Sequence, residues 1–164
     1  MADARVVERP IGALVQIGTW PADAGAAASM LEQLLGFPPP APGRTAGSPP
    51  ATLLGLAPGR WLLAADDPAW TARLATAFAD GQAAVTDLSA ARLCWRVEGA
   101  EATVLLRQGV GFDLDVAAFP PGRCAQTTIH HMGVLLHRLG KHAFDLHASR
   151  SLARSIHEWL RDAG

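Results

Sequence analysis

Histidine is the residue type whose clustering in this sequence first suggests chemistry. Five of the six histidines fall between His130 and His147, which raises the hypothesis of a metal site. Their spacing argues against it, because the adjacent His130 and His131 would face opposite sides of a strand. The sequence also contains no H-x-x-x-H on a predicted helix and no C-x-x-C pair. We therefore predict no metal ligands, with the histidines on polar sheet faces or at interfaces.

A second candidate is the pair Asp145 and His147, which share one face of a predicted strand, with Arg138 placed to lie across the hairpin. A Ser–His–Asp hydrolase would also need a nucleophile on a sharp turn, and no G-x-S-x-G is present. We interpret the pair as a solvated or interface pair and predict no catalytic residue.

Glycine-rich segments are the candidates for a nucleotide cofactor site. Residues 98–101 follow a predicted strand, as a nucleotide-binding turn would, but no G-x-G-x-x-G or Walker A pattern occurs. We predict that the chain by itself binds neither FAD nor NAD.

Tryptophans divide into core and surface candidates. Trp61, Trp95 and Trp159 each lie within an apolar pattern, which predicts burial in the core. Trp20, in Gly-Thr-Trp-Pro, lies outside any such pattern. We predict that Trp20 is an exposed contact residue.

Arginines on neighbouring predicted strands form the other interface candidate. Arg92, Arg123 and Arg138 could make a basic strip, and Gln126 is, like Arg123, a candidate recognition group. Arginine is favoured where a protein meets carboxylates of a partner. Ordinary solvated charge remains an equal alternative for these residues.

Composition narrows the function classes. The chain has 164 residues and a net charge of −1, so no strong field attracts nucleic acid or an anionic membrane. No apolar window is long enough to span a bilayer, and the N-terminus does not resemble a signal peptide. At this size a disulfide between Cys94 and Cys124 is not needed, so we expect buried thiols in a reducing compartment, the cytoplasm.

Apolar periodicity in the first half predicts alternating strands and helices. Residues 1–10 are expected to be a mobile start. Residues 37–50, with six of the twelve prolines, are expected to form a surface loop. The predicted elements are a strand at 12–18, a helix at 24–36, a hairpin at 51–65, a helix from Asp67-Pro68, and a strand at 83–88.

The second half begins with an alternating strand at 93–97 and a helix containing Ala102, Leu105 and Leu106. A stiff Pro-Pro-Gly turn at 120–122 then leads into further strands. We predict strands at 124–129, 134–138 and 143–147, and a final helix capped by Ser149 with a stripe of Leu152, Ile156, Trp159 and Leu160.

The two halves follow a similar plan, because a strand beginning near Gly59 and one beginning near Lys141 are each followed by a helix with an apolar stripe. We predict an α+β fold of two ferredoxin-like βαββ(α)β units fused in one domain, residues 1–164, with halves at about 11–89 and 90–164. A single irregular α+β sheet remains the alternative.

A family resemblance rests on an ordered set of short motifs. The motifs are Gly59-Arg60-Trp61-Leu62-Leu63, Val85-Thr86-Asp87-Leu88-Ser89, Val97-Glu98-Gly99 with Ala102 and Leu105-Leu106, Phe119-Pro120-Pro121-Gly122-Arg123-Cys124-Ala125-Gln126-Thr127, Val134 to Arg138, Phe144 with Leu146, and Arg150-Ser151-Leu152-Ala153 with Trp159-Leu160. On these motifs, from about Trp61 to the C-terminus, the chain resembles the gamma subunit of heterotetrameric sarcosine oxidase.

The resemblance implies a fold like that of the aminomethyltransferase T-protein, in particular its N-terminal domain. It also implies a complex with alpha, beta and delta subunits that demethylates sarcosine oxidatively to glycine. Formaldehyde or methylenetetrahydrofolate and hydrogen peroxide are the implied products. It implies FAD and covalent FMN at the beta subunit and its interface with alpha, NAD on alpha and zinc on delta, and it assigns no catalytic residue to gamma.

The sequence alone therefore leaves two candidate functions. The first is a non-catalytic, structural gamma subunit of such a complex. The alternative is a stand-alone folate-binding module related to the T-protein, which ranks lower because this chain is less than half the length of a full T-protein. Trp20, Arg92, Arg123, Gln126 and Arg138 are the predicted interface residues under the first.

Overall fold

The computed structural model describes residues 4–163, and within that range the chain forms ten β-strands and four α-helices. In chain order these are β1 (Arg5–Arg9), β2 (Ala13–Thr19), α1 (Ala24–Leu35), β3 (Thr45–Ser48), β4 (Ala51–Ala57), β5 (Arg60–Ala65), α2 (Trp70–Ala77), β6 (Ala83–Asp87), β7 (Arg92–Glu98), α3 (Ala102–Arg107), β8 (Cys124–Ile129), β9 (Met132–Gly140), β10 (Ala143–Ser149) and α4 (Ala153–Ala163).

The strands of the described range form two separate five-stranded antiparallel sheets. The predicted α+β class is confirmed, and the alternative of one irregular sheet is wrong. The chain divides into two compact units. The contiguous unit is Ile11–Ala90, and the composite unit contains the described residues of Met1–Pro10 and of Ala91–Gly164.

The contiguous unit has the strand order β3-β4-β5-β2-β6. Alternate residues of β2 point to the same face, so Ala13, Val15 and Ile17 form one apolar row. That row is fully buried in a core with Leu31 of α1 and Leu74 of α2. Both helices therefore cover the same face of this sheet.

The composite unit has the strand order β1-β7-β10-β9-β8. Its core contains Trp95 of β7 and Phe144 of β10, together with Leu106 of α3. The final helix α4 adds Ile156 and Leu160, which are almost fully buried. The predicted alternation of β7 is confirmed, because Trp95 lies in this core and its neighbours point to the opposite face.

Two segments predicted to lack regular structure form strands. Residues 5–9 were expected to be mobile, but they form β1 and pair with β7 over the whole strand; residues 1–3 of that prediction lie outside the described range. Within the predicted loop 37–50, Thr45–Ser48 form β3 at the edge of the contiguous sheet. Both strands gain their hydrogen bonds from tertiary partners, which local composition does not reveal.

Capping chemistry accounts for two of the three helix ends that the sequence predicted from a capping residue. Gly36 ends α1 in a left-handed conformation at φ 81°. The Asp67 carboxylate accepts a hydrogen bond from the Ala69 amide just before α2. Ser149 stands where the last helical segment begins, but its hydroxyl bonds to Ser151 and caps no amide.

No helix within residues 4–163 is long and apolar enough to cross a lipid bilayer.

Candidate functional surfaces

Polar side chains form a row across one face of the composite sheet. Register places Asp145 of β10 opposite both Arg96 of β7 and His137 of β9, and it places Cys124 of β8 opposite His137. This face is opposite to the one that carries Trp95 and Phe144. We call Arg96, Asp145, His137 and Cys124 the polar row.

The strongest interaction in the polar row is a bidentate ion pair. Arg96 Nε donates to Asp145 Oδ1 at 2.5 Å, and Arg96 Nη2 donates to Oδ2 at 3.0 Å. The Asp145 carboxylate raises the pKa of Arg96. The sequence suggested a pair of Asp145 and His147 on one strand. In the structure the Asp145 carboxylate binds Arg96 on the neighbouring strand β7 instead. Sequence analysis missed Arg96 because the β7–β10 register is not encoded locally.

Cys94 and His147 lie beside the polar row, opposite each other on β7 and β10, with Sγ and Nε2 3.9 Å apart. Burial lowers the pKa of His147 to about 4, and burial raises the pKa of the Cys94 thiol. The imidazole is therefore neutral and the thiol protonated at neutral pH. This pair lacks the thiolate that a cysteine nucleophile requires.

The two cysteines are too far apart to form a disulfide with each other. Cys94 lies on β7 and Cys124 on β8, with β10 and β9 between them. Three strand spacings amount to about 14 Å, whereas a disulfide needs Cα atoms within about 7 Å. Both thiols are buried, as the sequence predicted.

The histidine cluster does not converge on a metal. Among the residues that the structure describes, no group of three or more His, Cys, Asp or Glu side chains is placed to hold an ion. The sequence predicted His130 and His131 on a strand. They form instead the turn between β8 and β9, where His130 has a φ of 51°. The His130 ring packs against the edge of Trp159 at 5.8 Å.

Arg138, which the sequence predicted at an interface, is buried within the composite unit. It is 2% exposed, and its guanidinium donates to four backbone carbonyls. Nη1 reaches the carbonyls of Leu114 and Phe119, both at 2.8 Å, while Nε and Nη2 reach those of Gly140 and Lys141. Arg138 thus ties the connector after α3 to the β9–β10 turn.

The predicted basic strip does not form, because its members lie at opposite ends of the sheet. Arg92 is opposite Ser149 of β10, whereas Arg138 is opposite Phe144. Five residues along a strand span about 17 Å. Arg123 adjoins Arg138, whose amide donates to the Arg123 carbonyl.

Two of the other predicted interface residues are near the β8 edge. Gln126 is exposed on β8, and Arg123 is half-buried just before that strand. The Nε of Arg123 is buried and has no hydrogen-bond partner in the described part of the chain. These residues stay candidates for a contact at this edge of the composite sheet.

Trp20 is 65% exposed, the largest exposed apolar side chain between residues 4 and 163. It precedes a short helical turn at Pro21–Asp23. A cleft of about 240 Å³ lies beside it, with Gln16, Arg60 and Thr86 among its lining residues. The structure thus places Trp20 at the edge of a polar cleft on the contiguous unit.

Known proteins resemble this chain in sequence and in fold. Residues 20–164 match the model of the sarcosine oxidase, gamma subunit family. The sarcosine oxidase subunit gamma of Corynebacterium sp. (strain U-96) is 34% identical over 127 residues, which cover 76% of this chain and 62% of the relative. The match therefore spans less than two thirds of that relative's length.

Solved structures extend the likeness. A chain of the heterotetrameric sarcosine oxidase from Corynebacterium sp. U-96, solved in complex with pyrrole 2-carboxylate, superposes with a TM-score of 0.87 at 28% identity, covering 98% of this chain and 83% of that one. The glycine cleavage system aminomethyltransferase T from Bartonella henselae superposes with a TM-score of 0.66 at 16% identity, covering 98% and 46%. The second match shows a shared fold.

Proposed function

The chain belongs to the sarcosine oxidase, gamma subunit family, and we propose that it is the non-catalytic gamma subunit of a heterotetrameric sarcosine oxidase. The complex would demethylate sarcosine oxidatively to glycine, with formaldehyde or methylenetetrahydrofolate and hydrogen peroxide as products. The observation that carries the proposal is the superposition of 98% of this chain on a chain of such a complex, with a TM-score of 0.87.

The state of the buried and half-buried polar groups supports a structural role. Asp145 is engaged by Arg96, and burial keeps His147 neutral and Cys94 protonated. Burial also lowers the pKa of His137. A general acid or base needs a pKa near the working pH and contact with substrate. These side chains instead pack within the unit or pair with each other.

We assign the cofactors and partners of the complex to other chains. The partners would be alpha, beta and delta subunits, which would carry FAD, FMN, NAD, zinc and tetrahydrofolate. The two buried thiols suit a reducing compartment, so we place the complex in the cytoplasm.

We interpret each unit as ferredoxin-like, in the arrangement of an aminomethyltransferase N-terminal domain. The supporting observation is that β6-β2-β5-β4 and β1-β7-β10-β9 have equivalent strand orders, and each unit has two helices and one extra edge strand. In this interpretation the halves proposed at 11–89 and 90–164 are two repeats, and the second is completed by the N-terminal strand.

Each unit would contribute its own contact surface in the complex: Trp20 and its cleft on the contiguous unit, and the β8 edge with Arg123 and Gln126 on the composite unit. Tryptophan is the side chain most often found at the energetic centre of an interface, and Trp20 is 65% exposed. We expect Trp20→Ala to weaken association with the partner subunits by about tenfold or more. Arg92, at the far end of the sheet, would contribute less.

Co-expression with candidate alpha, beta and delta subunits tests the proposal. We expect an affinity tag on this chain to recover the other three subunits together with sarcosine-dependent production of hydrogen peroxide. Recovery of this chain alone, from cells in which all four subunits are expressed and folded, would contradict the proposal. An untagged chain carried through the same column is the control for non-specific retention.

The folate-binding alternative has a separate test. Calorimetric titration of the isolated chain with tetrahydrofolate measures it directly. We expect no binding heat, since the chain covers only 46% of the aminomethyltransferase with which it shares its fold. Saturable heat at one site per chain would favour the alternative.

A further inference from the structure

A second exposed apolar surface lies on the composite unit, away from the residues predicted from the sequence. Between residues 4 and 163 the exposed large apolar side chains are Trp20, Val104 at 52% and Val116 at 42%. Val104 and Val116 line the same groove, whose volume is about 220 Å³. Two of three such side chains therefore share one small surface.

Three segments far apart in sequence build this groove. Val104 comes from α3, Val116 from the connector between α3 and β8, and Lys141 and His142 from the β9–β10 turn. Val104 lies off the buried stripe of α3, which consists of Ala102, Leu105 and Leu106. The position of this valine therefore contributes nothing to the core of the unit.

Arg138 fixes the shape of the groove from within its wall. Its guanidinium holds the carbonyls of Leu114 and Phe119 on one side and those of Gly140 and Lys141 on the other. The guanidinium also lies over the Phe144 ring, 4.9 Å from its centroid. The connector and the turn are thereby held at a set distance, so the groove is pre-formed and needs little ordering on binding.

The charges around the groove favour an acidic partner. Two exposed cations, Arg107 and Lys141, line it against one carboxylate, Asp115, while the Arg138 charge is buried and bound by backbone carbonyls. Arg107 pairs loosely with Asp113 and Asp115, at 3.6 and 3.9 Å. Lys141, the single lysine of the chain, is exposed and makes no ion pair within the described range.

From this combination we propose that the Val104–Val116 groove binds a segment of a partner subunit in which an apolar side chain lies beside one or more carboxylates. The apolar side chain packs between the two valines, and the carboxylate binds the Lys141 ammonium. This inference rests on the proposed function, since it assumes that the chain works within a complex. It adds a contact surface to those proposed at Trp20 and at the β8 edge.

The test compares charge-reversal and apolar variants of this chain in the reconstituted complex. Lys141→Glu and, separately, Val116→Ser are expected to raise the dissociation constant for the partner subunits at least about tenfold. The Lys141→Glu effect should shrink as salt is raised from 50 to about 500 mM, because salt screens the charge pair. Arg154→Glu, on the 90% exposed Arg154 of α4, is the matched control and should change affinity less than about twofold.

The outcomes separate this inference from the proposed function. If wild-type chain recovers the partner subunits and both variants bind as tightly as wild type, the groove is not a contact and the inference is wrong while the function stands. If wild-type chain recovers no partner, the proposed function fails first. If wild-type chain self-associates in sedimentation and both variants are monomeric, a second copy fills the groove, which also overturns the inference. Circular dichroism melting of both variants verifies that they fold.

Discussion

The contiguous and composite units place equivalent elements in equivalent positions, yet they complete their sheets differently. In the contiguous unit β2 lies between β5 and the edge strand β6, and β6 is the last strand within residues 11–90. In the composite unit the strand beside β7 is β1, which lies about 90 residues earlier in the chain. A repeat in architecture therefore does not require a repeat in the order of the sequence.

The units also differ in how they secure the connector that follows their first helix. In the contiguous unit Trp61 Nε1 donates one hydrogen bond, 3.0 Å long, to the Pro40 carbonyl, and backbone bonds join Gly43 and Arg44 to Gly55. In the composite unit a buried arginine, Arg138, makes four bonds to carbonyls. One connector is held mainly by the backbone and the other by a charged side chain.

Removal of residues 1–9 is expected to have the largest effect and to affect the composite unit first. It deletes β1, exposes the β7 edge and removes Val6 from contact with the core. Five cross-strand residues with bonds of about 1 kcal/mol each suggest a loss of about 5 kcal/mol in the free energy of unfolding. Chemical denaturation measures the loss, and hydrogen exchange should show β7 amides losing more protection than β2 amides.

Glu8→Gln is the control for that deletion, since Glu8 is exposed and the substitution retains the strand. It should change stability by less than about 0.5 kcal/mol. Unchanged stability after deletion would mean that the composite sheet does not depend on β1.

Arg138→Met comes next, at about 3–4 kcal/mol of lost stability. The substitution keeps much of the apolar volume but leaves the buried carbonyls of Leu114 and Phe119 without their donor. Arg138→Lys should recover only part of the loss, because an ammonium cannot present the planar fork of a guanidinium. Urea unfolding measures the stability of Arg138→Met and Arg138→Lys, with Arg154→Met on the surface as the control. Equal stabilities for Arg138→Met and Arg154→Met would refute the role given to Arg138.

His147 should make the stability of the composite unit depend on pH. Burial lowers its pKa to about 4 in the folded chain, against about 6.5 when unfolded. The unfolded chain therefore binds more protons between these values. The stabilisation is complete above about pH 6.5 and is lost as pH falls toward 4, by about 3 kcal/mol in total.

Urea midpoints between pH 7.5 and 4.5 test this expectation. His147→Gln should reduce the slope of stability against pH, whereas His157→Gln, at an exposed histidine of α4, should leave it unchanged. An unaltered slope in His147→Gln would assign the acid sensitivity to other groups, such as His137.

Trp61→Phe is expected to have the smallest effect, about 1–2 kcal/mol. It removes the indole bond to Pro40 and a little buried volume, while the backbone bonds of Gly55 still hold the connector. Thermal unfolding measures it beside Trp20→Phe, which alters an exposed side chain and should be nearly neutral. A loss as large as that of Arg138→Met would remove the contrast between the two connectors.

Much of the fold could be predicted from local patterns. The alternation around Trp95 and the stripe of Ile156 and Leu160 predicted which side of each element is buried. The turn at His130 was missed, since adjacent histidines carry no turn signal and the conformation is set by the pairing of Ile129 with Met132.

The candidate surfaces were predicted less completely than the fold. Trp20 was recognisable because it lies outside every apolar pattern, and it is exposed. The burial of Arg138 was not foreseen because arginine is usually a surface residue, and nothing nearby in sequence indicates that its guanidinium binds the carbonyls of Leu114 and Phe119. Val104 and Val116 were overlooked since each is an ordinary apolar residue until the groove joins them.

By itself the sequence determined the family and most of the elements with their buried faces, because helix and strand periods and short ordered motifs are properties of neighbouring residues. Only the tertiary structure decided that Arg5–Arg9 complete the composite sheet, that Asp145 binds Arg96 and that Arg138 is buried. Those outcomes depend on strand register and on contacts between residues tens of positions apart. Such contacts form when separate elements pack together, so no local stretch of sequence contains them.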